Sequence, residues 1–109
     1  MITEIEINQV YSSLIIARNG YREAGEEAIT LKTALDVVRA EKILAGTITG
    51  KNAEEREANA RAQLAEMYDQ LERAEHAERY AKCVLDCANI EIDRVKLLVL
   101  LLKEIIPDE

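Results

Sequence analysis

Apolar and small side chains recur along this chain at alternating steps of three and four. One row runs through Ile7, Val10, Leu14, Ala17, Tyr21, Ala24, Ala28, Leu31, Leu35 and Val38, with Thr3, Lys42 and Ala45 at its ends. A second runs through Ala53, Glu57, Ala60, Leu64, Met67, Leu71, Ala74, Glu78, Ala81, Leu85, Ala88, Ile92, Val95, Val99, Leu102 and Ile106. A mean spacing of about 3.5 residues keeps one face of a helix apolar and lets two such helices coil around each other. The pattern predicts a helix over 3–45, a bend over 46–52 and a helix over 53–106. Glu57 and Glu78, the charged members of the second row, are expected to pair with Arg or Lys across the hairpin and fix its register.

The ends of the two rows carry stop and start signals. Thr3-Glu-Ile-Glu6 reads as a capping box, in which the Thr3 hydroxyl and the Glu6 carboxylate satisfy each other's free amides. Gly46 suits the left-handed position that ends a helix, and Asn52 with Glu55 caps the next one. Glu54 and Glu55 add negative charge where the helix dipole favours it, and Pro107 follows where the second helix should stop. Asn19-Gly20 is a rival stop that would give three helices. Gly20 and Gly25 each cost about 1 kcal/mol in a helix interior, yet the row keeps its phase through both, so a continuous first helix is expected. Ala17, Gly20, Ala24, Gly25 and Ala28 then face a zone with Ala74, Ala77 and Ala81, where small residues permit close backbone approach.

A short connection makes the helices antiparallel. The expected fold is all-α, one domain over 1–109, a long coiled-coil-like antiparallel helical hairpin. With Ala45 facing Ala53, Leu14 falls opposite Val84 and Thr3 opposite Val95, leaving about ten residues, or about 15 Å, of the second helix without a partner. That segment holds Leu97, Leu98, Val99, Leu100, Leu101 and Leu102, then Ile105 and Ile106. The other end is similarly apolar, with Ile2, Ile5, Ile7, Val10, Tyr11, Leu14, Ile15 and Ile16. Helix surface that is apolar all round must be buried all round. A dimeric four-helix bundle, or a higher even oligomer, is therefore expected, with Ile5, Val10, Leu14, Val95, Leu98, Val99, Leu101, Leu102 and Ile105 at the interface.

Composition sharpens this picture. The chain has 109 residues, no Trp or Phe, and is rich in Ala, Glu, Leu, Ile and Arg, a profile of long helices. Its net charge of −7, spread along the chain, argues against a general nucleic-acid binder, which needs a basic face. The longest wholly apolar run, Leu97 to Leu102, is far below the roughly 20 residues of a membrane span, so neither nucleic acid nor membrane is an expected partner. An acidic amino terminus lacks the basic start of an export signal. Two cysteines without a disulfide framework fit a reducing cytoplasm.

Candidate chemistry is sparse. The bend TITGKNAEER offers a Gly and a Lys before a helix, but a phosphate loop needs four residues between its glycines, Ser or Thr after the Lys, and a preceding strand. Here three residues separate Gly46 and Gly50, Asn52 follows Lys51, and a helix precedes. Cys83 and Cys87, one turn apart with Tyr80 and His76 nearby, do not close a tetrahedral metal site and are expected to be buried small apolar groups. His76 has Arg73 three residues before it, so the Glu-x-x-His motif of di-iron bundles is absent. Tyr11, Tyr21, Tyr68 and Tyr80 are expected to pack at the seam or its rim with their hydroxyls reaching water. With one His and no nucleophile-base pair, neither catalysis, a cofactor nor a metal is expected.

The stretch Thr49-Gly50-Lys51-Asn52-Ala53-Glu54-Glu55-Arg56 resembles a motif of small phage and prophage helical proteins, in which a T-G-K-N-x-x-x-R bend precedes an Ala, Glu and Arg-rich helix. The resemblance implies a phage-borne accessory protein of the host cytoplasm, in some cases linked to recombination or single-strand-binding functions. The expected function is thus non-enzymatic self-association and protein–protein contact, with Thr49, Lys51, Asn52 and Arg56 at the exposed tip as the candidate partner surface. The competing expectation is a host-defence antagonist, either an acidic nucleic-acid mimic or an oligomer sequestering a small nucleotide between subunits.

Overall fold

The computed structural model describes residues 2–105, with side chains through residue 104. Three helices account for its regular structure: α1 over Glu4–Leu44, α2 over Ala53–Gln63 and α3 over Ala65–Ile105, with no strand among the described residues. No helix there is long and apolar enough to cross a membrane.

Helix α1 starts as the capping box predicts. Thr3 N donates to Glu6 Oε2 at 3.0 Å, and Glu6 N donates to Thr3 Oγ1 at 3.2 Å. The helix then runs without interruption through Gly20 and Gly25. Gly46 ends it at φ +76, with Gly46 N bonded to Ile43 O and Thr47 N to Lys42 O, the paired bonds of a Schellman stop. Asn52 Oδ1 accepts from Glu55 N at 2.8 Å to open α2, while Glu55 Oε2 accepts from Lys51 N at 3.3 Å.

The second helical stretch is interrupted at Leu64, where an unbroken helix over 53–106 was expected. Leu64 leaves helical geometry at φ −112 and ψ 28, although its N–H still bonds Ala60 O and its carbonyl accepts from Tyr68 N. Its side chain is 6% exposed in a cluster with Leu35, Ile48 and Ala60. The local departure thus coincides with a residue held by packing.

The contacts gather into two compact units: residues 24–78, and residues 1–23 with 79–109. In the 24–78 unit, Ile48 from the connector is the largest fully buried side chain at 2% exposure, lying among Leu35, Ala60 and Leu64, with Val38, Met67, Tyr68 and Leu71 around them. Two α2 amides tie the connector down: Gln63 Nε2 donates to Thr47 O at 2.7 Å, and Asn59 Nδ2 donates to Thr49 O. Arg39 on α1 meets Glu57 on α2 at 2.5 Å, a cross-hairpin pair of the kind expected for Glu57. In the other unit Leu14 and Ala17 of α1 and Ile92 and Val95 of α3 are buried.

The register of that second unit departs from equal rise along both arms. Thr3 was expected opposite Val95; instead Glu6 and Val10 share a cleft with Glu91, Arg94 and Val95, and Ile2 lines it with Leu98, Leu101 and Leu102. Val10 thus lines one cleft with Val95 and Leu98, where the equal-rise register would have set it opposite Ala88. Bringing branched side chains together removes more apolar area from water than a methyl group can. Toward the end of α3 the half-buried positions are Leu98, which lies off the expected row, and Leu102, which lies on it, while Val99 of that row is 37% exposed.

Candidate interaction surface

The predicted interface residues separate into two groups. Leu14 and Val95, 6% and 3% exposed, are buried inside their own unit. Ile5, Val99 and Leu101 are exposed, while Val10, Leu98 and Leu102 are half-buried along the cleft. The side chain of Ile105 lies outside the described residues. Of the fifteen large apolar side chains that are exposed among the described residues, eleven lie in the unit of residues 1–23 and 79–109.

The cleft in that unit has a volume of about 640 Å³. Its walls are Ile2, Val10, Val95, Leu98, Leu101 and Leu102, and its rim is Glu6, Gln9, Glu91 and Arg94. Arg94 grips Glu91 on the next turn: Nη2 donates to Oε1 at 2.5 Å, and Nε lies 3.1 Å from each oxygen. That hydrogen bonding, with the guanidinium charge, holds the Glu91 carboxyl below the usual carboxylate range. Arg94 is raised by its bond to Glu91, by the Glu91 charge and, more weakly, by Glu6. Arg94 thus holds one carboxylate, Glu91, by hydrogen bonds and feels the charge of a second, Glu6.

At the tip, Thr49, Lys51, Asn52 and Arg56 are all exposed, as a partner surface requires. Several are also structural. Thr49 O receives the Asn59 amide, Asn52 caps α2, and Arg56 N lies so close to Gly50 that a Cβ there would sit 2.6 Å from it. Lys51 and Arg56 therefore keep their charged ends available, whereas the Asn52 side chain is committed to the cap.

Cys83 and Cys87 are exposed, not buried as expected. Both lie off the buried row of α3, on which Ala81, Leu85 and Ala88 are half-buried. Average cysteine habit lost to helical position. Among the described residues no group of three or more His, Cys, Asp or Glu side chains is placed to hold a metal ion. No family model matches this chain, and no curated protein or solved structure matches it either.

Proposed function

We propose that this protein is a non-enzymatic, self-associating helical accessory protein that works through protein–protein contacts. The observation that carries the reading is uncovered apolar surface. Eleven of the fifteen large apolar side chains that are exposed among the described residues lie in one unit. In this reading a dimer, or a higher even oligomer, covers that unit, while Lys51 and Arg56 at the tip remain for another protein. The resemblance of residues 49–56 to phage and prophage proteins supplies the setting, a host cytoplasm and a role beside recombination or replication functions.

Sedimentation equilibrium at micromolar concentration tests the reading. The wild-type mass is expected to be an even multiple of 12.3 kDa, and the L97K/L100K variant is expected to shift to one chain with its helical circular dichroism retained. A wild-type mass of a single chain overturns the reading.

A further inference from the structure

Cys83 and Cys87 stand one turn apart on α3, both exposed and neither in a disulfide. The half-buried positions of that stretch are Ala81, Leu85 and Ala88, so the thiols take no part in the row that packs. Helix geometry decides what the two can do together. Side chains four positions apart share a face, with Cβ atoms about 5–6 Å apart. A disulfide needs Cβ atoms about 3.5–4.5 Å apart, so the helix keeps the pair as two thiols. One soft ion held in line between them needs the sulfurs about 4.5 Å apart, twice a metal–thiolate bond of about 2.3 Å. Rotation of each Sγ about its own Cα–Cβ bond reaches that separation with the backbone unchanged.

We infer that Cys83 and Cys87 form a two-coordinate site for a soft monovalent cation, copper(I). Thiolate ligands select this ion, and it accepts two of them in line. Zinc would need two further ligands, and among the described residues no third His, Cys, Asp or Glu is placed to join the pair. His76, seven positions before Cys83, lies about 10 Å away along the axis. On binding, each thiol releases its proton to water and two S–Cu bonds form with no change of oxidation state, so the bis-thiolate complex carries one negative charge. Arg79, exposed one turn before Cys83, brings a positive charge to the same face. The neighbouring carboxylates have cationic partners: Asp86 Oδ2 lies 3.9 Å from Lys82 Nζ, and Glu91 is gripped by Arg94. The site is built from one chain and does not depend on self-association.

Competition for copper(I) against the chelator bicinchoninate, on reduced protein without oxygen, tests the site. The wild type is expected to take one ion per chain and to hold it about 100-fold more tightly than variants that keep two thiols at the wrong spacing. C87S/N89C moves the second thiol to another side of the helix, and C87S/I90C moves it two turns from Cys83. Both receiving positions are exposed. Circular dichroism identifies which of the two retains its helix, and either one suffices for the comparison. Equal affinity in the wild type and a folded displaced-thiol variant overturns the site, because thiol number and not spacing would then set binding. One ion per two chains overturns it as well, because the two thiols would then come from separate copies.

Discussion

Arg39 of α1 holds the carboxylate of Glu57 of α2 at 2.5 Å, and Arg61 holds the other oxygen of the same carboxylate at 3.1 Å. Tyr68 completes the group: its hydroxyl accepts from Arg39 Nη1 at 3.5 Å, and the Arg61 guanidinium lies 4.8 Å from its ring centre. Glu57 occupies a seam position where an apolar residue would ordinarily sit, so one carboxylate joins the two arms of the hairpin and anchors the turn beyond it. The Arg39 and Glu57 side chains are 33% and 36% exposed, which leaves them open to solvent screening. E57Q is therefore expected to lower unfolding free energy by about 1 kcal/mol or less, with the loss shrinking at high salt. Urea titrations at low and high sodium chloride measure both.

Ile48 closes the connector as a plug. Its side chain is 2% exposed between Leu35 of α1 and Ala60 of α2, with Leu64 beyond them. Truncation leaves a void bounded by elements that the Gln63 and Asn59 amide bonds hold in place, so the site cannot easily collapse. I48A is expected to cost about 2–5 kcal/mol, read as a lower urea midpoint with an unchanged slope. In a chain with so small a core this makes the connector a major contributor to stability.

Among the described residues, nine of the ten buried apolar side chains lie on the two rows read from the sequence, and the tenth is Ile48. The division is physical. Helical periodicity announces which face of a helix is apolar, but a connector has no period, so a lone branched residue between Thr47 and Thr49 gives only a faint signal. The caps at Thr3, Gly46 and Asn52 were legible because each is a local contract between neighbours in sequence. The cleft that Val10 and Val95 line together was not, because residue counting alone does not give the slide of one arm past the other.

Glu91 is held below the ordinary carboxylate value of 4.5, chiefly by its hydrogen bonds from Arg94. A depressed folded-state pKa means that the pair's contribution is fully present above that ordinary value and is lost as pH falls through the depressed one. Both groups are open to solvent, so the effect on global stability is small and the direct observable is the titration itself. Carboxyl carbon shifts followed by NMR are expected to place the Glu91 midpoint below 4.5, and R94Q is expected to move it upward. An unmoved midpoint in R94Q would show that Arg94 is not the cause.

The four glycines divide by what surrounds them. A Cβ on Gly20 would meet nothing within 4 Å, and the residue lies in the interior of α1. G20A therefore removes a flexible residue from a helix without introducing a contact and is expected to stabilise by up to about 1 kcal/mol. Gly50 is the opposite case, because the added carbon would lie 2.6 Å from Arg56 N and 3.0 Å from Arg56 Cα, both backbone atoms that move only if the start of α2 moves. G50A should destabilise, and it should do so by loosening the Asn52 cap that the same turn presents to Glu55. Amide exchange distinguishes this local route from a general loss of stability: faster exchange at Glu55 and Arg56 in G50A, ahead of α1 and α3, is the expected pattern. A G20A variant less stable than wild type overturns the reading of position 20 as an ordinary interior position of α1.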